Sequence, residues 1–456
     1  MSVGECALKQ DACSVPMLIW RHADVVWKLV GTPYMRILMI APEPFFEPRG
    51  TPFSVFHRAR ALGRLGHEID LVTYPVGNAV DLPHVTVHRT WHPPFVRHIK
   101  IGPSLVKFPL DALLFVRALG MLLRHRYDCI HTHEEAGLFG AIFSRVFRVP
   151  HVYDMHSDLA QQLTNFHFTR SKLMIGLMRR VEQLIIASAN AVIVICPELL
   201  ASVEAVAPDK PVMLIENTAV AAAEPEAGGS GASGAEPLGP VPGDQMSKRT
   251  KMATAVTKLR RELDIPKGAG PVLLYTGTFE SYQGLDLLVE SMPAVLAKFP
   301  NAVYVVAGGQ PDQVAVVAAH AQRLGVAPSL RLPGQRQPEE MPIFTQLANV
   351  LLSPRCQGTN TPLKIYSYLH SGKPILATDI RSHTQVLSDE VAMLVAPTSD
   401  GLASGAIALL EDERMRGELA RNARTLAQQK YSYQAYLERT SEVYQGLVPV
   451  PEPVTA

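Results

Sequence analysis

The chain lacks the features that would tie it to an oxidising compartment, a membrane span or a polyanion. Its five cysteines, Cys6, Cys13, Cys129, Cys196 and Cys356, are odd in number, scattered and never spaced C-x-x-C. That excludes a disulfide framework and implies a reduced, cytosolic setting. Neither sign of charge is in excess: 43 Lys and Arg face 42 Asp and Glu, so no nucleic-acid partner is expected. The longest apolar window, 105 to 123, is broken by Lys107, Asp111 and Arg117 and falls short of the uninterrupted run of about 20 residues that spans a bilayer. Residues 1 to 34 lack the apolar core and small-residue cleavage site of a secretory signal and read as a disordered extension; Met35, directly before the first strand, marks an alternative native start. No two aspartates are spaced D-x-D, so the aspartate clamp that holds a metal on a diphosphate is missing. Any phosphate charge then has to be met by Lys, Arg and backbone N–H groups.

The 456 residues exceed what one core usually serves. Short apolar runs alternate with longer segments of helical period, the pattern of an α/β fold with doubly wound parallel sheets. Strands are expected at 36–40, 68–73, 85–88, 129–131, 151–154, 191–194 and 212–215, then at 272–276, 303–307, 349–352, 375–378 and 393–395. Two Rossmann-like units follow, 35–218 and 251–430, facing each other across a cleft, with an Ala/Gly/Pro-rich linker or insertion at 219–250. A terminal segment, 431–456, is expected to return as a helix to the first unit. Within the linker Gly229, Gly231 and Gly234 spell G-x-G-x-x-G, but no strand precedes them and no helix follows, so composition alone produces the match.

The most informative stretch runs from Ser353 to Asp379, SPRCQGTNTPLKIYSYLHSGKPILATD: a loop bearing Gly358, Thr359, Asn360 and Thr361, a short helix carrying Lys364 and Ser367, and a buried strand. Such a loop ahead of a helix offers N–H groups and a positive dipole end to an anion. Gly277 and Thr278, after the strand VLLYT, stand ready for a diphosphate, with Thr278 as a simple N-cap the competing reading. Gly308 with Gly309 ends another strand at the same rim, placed either for a tight turn or for a nucleotide. Gly50, after the first strand, serves a turn or a ligand.

The strand end HVYDMHSD brings Asp154 and His156 to a cleft-facing loop, where a carboxylate beside an imidazole suits sugar hydroxyls or developing positive charge; capping by Ser157 or Asp158 is the alternative. His131 and His133 on the preceding strand show no third metal ligand in the sequence, and no metal is expected. Residues 91 to 126 hold Arg97, Lys100, Lys107, Arg117, Arg124 and Arg126 against one acid, interleaved with aromatics. They read as a packed helix with a solvated basic side or as a peripheral contact with an anionic membrane.

Taken in order, MRILMIAP with its glycine loop, LGHE, DCIHTH, VYDMHS, Ile215-Glu216-Asn217-Thr218, YTGTFESYQG and TPLKIYSYLHSGKP resemble the family 4 glycosyltransferases of the two-Rossmann GT-B type, glycosyl transferases group 1. The resemblance implies a retaining, metal-independent transfer of a hexose from a nucleotide sugar to a hydroxyl of a glycan or lipid-linked acceptor. The donor would lie on the second domain and the acceptor on the first, on the cytoplasmic face of a membrane where glycolipid or cell-surface polysaccharide is made. His156 would then contact the donor sugar near its anomeric carbon, Gly50 the diphosphate or acceptor, and Lys364 the phosphates. Four positions depart from the family pattern: Thr278 and Gln283 replace an arginine and a lysine at the diphosphate, and Thr359 and Ser367 replace the E-x7-E glutamates. A non-catalytic GT-B subunit and a nucleotide-sugar epimerase are the alternative readings.

Overall fold

The computed structural model describes residues 34–447 except 48–49, 95, 97–98, 100–103, 105, 160–170 and 218–241, with backbone only at 242–248. Two all-parallel sheets organise these residues. The first holds β1 (Arg36–Ala41), β2 (Glu68–Thr73), β3 (Val85–Arg89), β4 (Cys129–His133), β5 (His151–Met155), β6 (Ala191–Val194) and β7 (Val212–Leu214), ordered β3-β2-β1-β4-β5-β6-β7. The second holds β8 (Val272–Thr276), β9 (Val303–Ala307), β10 (Leu330–Gly334), β11 (Val350–Ser353), β12 (Ile375–Thr378) and β13 (Met393–Val395), ordered β10-β9-β8-β11-β12-β13. Helices cover both faces, which is why β4, β5, β6, β9, β11 and β12 are buried at every position rather than alternately.

In each sheet the strand order reverses once, between β1 and β4 and between β8 and β11. Chain leaving neighbouring strands there runs to opposite faces and opens a crevice at the carboxyl ends. The loops after β1, β4 and β5 form one rim, and those after β8, β9 and β11 form the other. The helices that matter for the site are α1 (Gly50–Arg64), α2 (Lys107–Arg124), α3 (Gly137–Phe147), α4 (Lys172–Ser188) and α5 (Pro197–Val206) in the first half. The second half supplies α6 (Pro242–Glu262), α7 (Leu285–Lys298), α8 (Pro311–Arg323), α9 (Met341–Leu347), α10 (Leu363–His370), α11 (Arg381–Thr384), α12 (Ser399–Glu411), α13 (Glu413–Lys430) and α14 (Tyr433–Gln445). Ala423 and Ala427 of α13 pack into the core of the second sheet, whereas Tyr436, Val443 and Tyr444 of α14 pack into that of the first.

Some elements go beyond the sequence reading. Pro333 masks β10, which is tolerable because β10 is an edge strand paired only with β9. Helix α5 is short and opens on Pro197 at its first turn, so its start reads as a breaker in the sequence. Helix α6 begins at Pro242, inside the segment expected to be a linker up to 250, where the glycines end and Lys, Arg, Met and Ala begin. The glycine triplet at 229–234, residues 1–33, Thr218, Arg97 and Lys100 lie outside the described residues. Among the described residues no helix is long and apolar enough to cross a membrane.

Candidate active site

Each wall of the crevice is assembled from strand ends. On the first, His131 and His133 sit two apart on β4, and the parallel register sets His133 opposite Asp154 on β5. Asp154 is fully buried, and Arg58 of α1, itself fully buried, donates to it from Nε to Oδ2 at 2.9 Å. The same guanidinium donates from Nη1 to Thr440 Oγ1 at 2.9 Å and lies 4.9 Å from the Tyr436 ring, so α14 helps to hold it. Three imidazoles surround the carboxylate: His131 at 3.5 Å, His133 at 3.8 Å and His156 at 3.4 Å. His133 Nδ1 and His156 Nε2 share a 2.9 Å hydrogen bond, which leaves His156 Nδ1 buried without a partner.

These contacts fix the charges. Against the upward push of burial, Arg58 and the imidazoles hold the Asp154 carboxyl well below the usual carboxylate range. Burial pulls His156 down to about 4, which Asp154 offsets only in part, so the imidazole is neutral at pH 7. The sequence shows no third ligand for His131 and His133, but the fold provides one: ligand atoms of His131, His133 and Asp154 lie within 4.8 Å of one another. Arg58 already neutralises that carboxylate.

Glu134, in left-handed backbone at φ 49°, ties this wall together. It accepts Ser157 Oγ at 2.8 Å and Thr51 Oγ1 at 3.5 Å. Gly50 opens α1 at φ 46°; a side chain there would meet nothing, so backbone conformation rather than space calls for glycine.

On the second wall, Gly277 (φ 143°) and Gly308 (φ 129°) touch: a Cβ on Gly308 would stand 1.8 Å from the Gly277 carbonyl oxygen. Thr278 is half-buried, and its carbonyl accepts Tyr275 OH at 2.7 Å. It does not cap α7, which starts at Leu285 behind Gly284. Gln283 is buried with Nε2 3.4 Å from Thr278 Oγ1. In the loop after β11, Asn360 Nδ2 donates to the His156 carbonyl at 2.7 Å, joining the two walls directly. The Thr359 carbonyl accepts Gln385 Nε2 at 2.5 Å, and Gln385 Oε1 accepts the Glu198 N–H of α5 at 3.0 Å, a second link across the crevice. Thr361 is buried at the foot of α10, while Ser367 is exposed on that helix.

Lys364, on the first turn of α10, carries the most telling charge. Its Nζ is buried with no hydrogen-bond partner and lies 3.7 Å from the centroid of the Tyr275 ring. Burial pulls its pKa well below the usual lysine range, and the Arg355 guanidinium adds to the pull. Arg58, Glu134 and Arg355 are the residues that the sequence reading misses. Arg58 looks like any basic residue on an amphipathic helix. Arg355 had a signal, since it stands between the end of a buried strand and a glycine loop.

Two doubly wound parallel units joined across a crevice, with glycine loops and a buried cation on the second, define a GT-B protein. Two family profiles match the chain: the glycosyl transferase 4-like domain over residues 50–218 and the glycosyl transferases group 1 over residues 256–426. The phosphatidyl-myo-inositol mannosyltransferase of Mycolicibacterium smegmatis is 22% identical over 90% of this chain and 94% of its own length. The D-inositol 3-phosphate glycosyltransferase of Xylanimonas cellulosilytica is 25% identical over 90% and 96%. Among solved structures, sucrose-phosphate synthase of Thermosynechococcus elongatus superposes with a TM-score of 0.68 at 20% identity, covering 90% of this chain and 99% of that one. Anabaena Alr3699/HepE in complex with UDP-glucose superposes with a TM-score of 0.64 at 17% identity, covering 90% and 99%. The chain belongs to the group 1, family 4-like glycosyltransferases of GT-B fold and transfers a sugar from a nucleotide-sugar donor.

Proposed function

We propose that the protein is a retaining, metal-independent hexosyltransferase that binds its donor diphosphate at Lys364 and passes the sugar to a hydroxyl of a glycolipid or cell-surface polysaccharide precursor. The carrying observation is the Lys364 ammonium, buried beside two glycine loops without a hydrogen-bond partner. A buried cation in that state is costly unless a ligand supplies the charge. Gly277 and Gly308, whose own N–H groups go to the Ala307 and Gly334 carbonyls, keep the rim free of side chains, and Gly358, Thr359, Asn360 and Thr361 line it beside them, with Thr278, Gln283 and Ser367 around it. Lys364 then stabilises the leaving diphosphate as the anomeric bond breaks. His156, neutral and with Nδ1 unsatisfied, faces the sugar, held in place by Asp154 through the ion pair with Arg58. Gly50 and Thr51 lie on the acceptor side.

The acceptor assignment draws on the first domain's outer face. Phe108, Val116 and Leu123 of α2, Ile142 and Val146 of α3, and Leu173, Leu177 and Leu184 of α4 are exposed. Around them stand exposed Arg117, Arg124, Arg145, Lys172, Arg179 and Arg180, an arrangement suited to an anionic bilayer. Lys107, counted among these cations in the sequence, instead turns inward to Glu135 at 3.4 Å. The inner face of α2 is packed by Leu110, Leu114, Ala118, Met121 and Leu122, as the packed-helix reading expects.

Incubation with UDP-, GDP- and ADP-hexoses and a membrane lipid extract tests this reading. Expected are acceptor-dependent release of nucleoside diphosphate, undiminished by EDTA, and a product with the donor's anomeric configuration. Binding without turnover would leave a non-catalytic subunit, sugar release without an acceptor would point to an epimerase, and inversion would refute the retaining mechanism.

A further inference from the structure

Lys364 is not alone. Arg355 leaves the end of β11, and its guanidinium lies 5.0 Å from the ring of Tyr282, the residue before Gln283. It therefore occupies the neighbourhood of the two positions, Thr278 and Gln283, where this chain has no cation. Nε donates to the Gln357 carbonyl at 2.7 Å and Nη1 to the Asn360 carbonyl at 3.0 Å. These bonds shape the loop and fix the plane of the fork. Nη2 makes no hydrogen bond among the described residues, and the space beside it exists because residue 358 is glycine: a Cβ there would stand 2.2 Å from Nη2.

Neither Arg355 nor Lys364 has a carboxylate partner among the described ion pairs, and each is pulled below its ordinary range, first by burial. Two like charges in one part-buried site, framed by Gly277 and Gly358 and lacking a counter-ion, match a ligand with about two negative charges.

We propose that Arg355 is the second cation of the donor diphosphate site, entering from the loop after β11 to take the place of the arginine and lysine missing at Thr278 and Gln283. The proposal rests on the donor reading above. A planar fork pinned by two carbonyls is pre-organised to bind a phosphate oxygen through its remaining nitrogen. The same two pins could also make Arg355 a loop staple only, so the test has to separate contact with phosphate from loop shape.

The measurement is calorimetric titration of the full chain with UDP, GDP and ADP, with the matching nucleosides, and with inorganic pyrophosphate, for wild type and Arg355→Gln. Expected is a loss of about tenfold or more for the diphosphate that wild type binds and for pyrophosphate, with nucleoside affinity unchanged. Adding Thr278→Arg to Arg355→Gln should recover much of the lost diphosphate affinity. Unchanged diphosphate affinity, or an equal loss for nucleoside and diphosphate, overturns the proposal. If Arg355→Gln fails to fold, Arg355→Lys carries the test: it keeps a cation and loses the two-pinned fork. A retained preference for diphosphate over nucleoside supports the proposal, and its disappearance refutes it. A wild type that binds none of these ligands would refute the donor reading instead.

Discussion

Asp154 stays ionised inside the protein because Arg58 meets it, and the pair depends on both members. Arg58→Ala leaves a buried carboxylate unpaired and should cost about 3–5 kcal/mol in urea unfolding. Loss of less than about 1 kcal/mol would mean that the three imidazoles suffice. Glu134 makes the opposite case, a carboxyl that keeps its proton. Burial, with Glu135 adding to it, pushes Glu134 up to about 8 from its ordinary 4.5. Between those values the native state holds a proton that the unfolded chain releases. Its contribution to stability is therefore full below about pH 4.5 and is lost as pH rises through about 8. Glu134→Gln removes this dependence, so its unfolding midpoint relative to wild type should climb from about pH 5 to about pH 8.5; a difference flat with pH would contradict the assignment. His156, held near 4 by burial, should place no titration near pH 6.5 in the activity profile.

Among the elements, the glycine loops frame the proposed donor site and the strands deliver them. A side chain on Gly308 would strike the Gly277 carbonyl, so Gly308→Ala has to move one loop away from the other. It should weaken nucleotide diphosphate binding at least about tenfold while costing only about 1–3 kcal/mol of stability. Intact binding would show that the two loops need not touch. The strands were legible because buried parallel strands are continuous apolar runs, and the glycine loops that follow them mark the rim of the proposed donor site. Distance in sequence hid the rest. Arg58 and Thr440 lie 382 residues apart yet share a hydrogen bond, and the third ligand beside His131 and His133 came from the next strand through the register. Pro333 and Pro197 concealed β10 and α5 for the reason prolines usually mislead: an edge strand and a first helical turn both accept them.

At the scale of the whole molecule, two sheets with separate cores meet at Asn360 and His156 and at Gln385 and Glu198, so the proposed donor and sugar contacts sit within one hydrogen bond of each other. The outward face of α2, α3 and α4 would place the acceptor side toward an anionic bilayer. Leu173→Asp with Leu177→Asp should reduce sedimentation with anionic liposomes without altering nucleotide binding; equal sedimentation would remove the membrane from the account. The most direct test is titration of wild type and Lys364→Ala against UDP-, GDP- and ADP-sugars. Wild type should bind at least one of them, and the variant should lose affinity about tenfold to a hundredfold; binding that is absent in wild type, or unchanged in Lys364→Ala, would refute donor binding at Lys364.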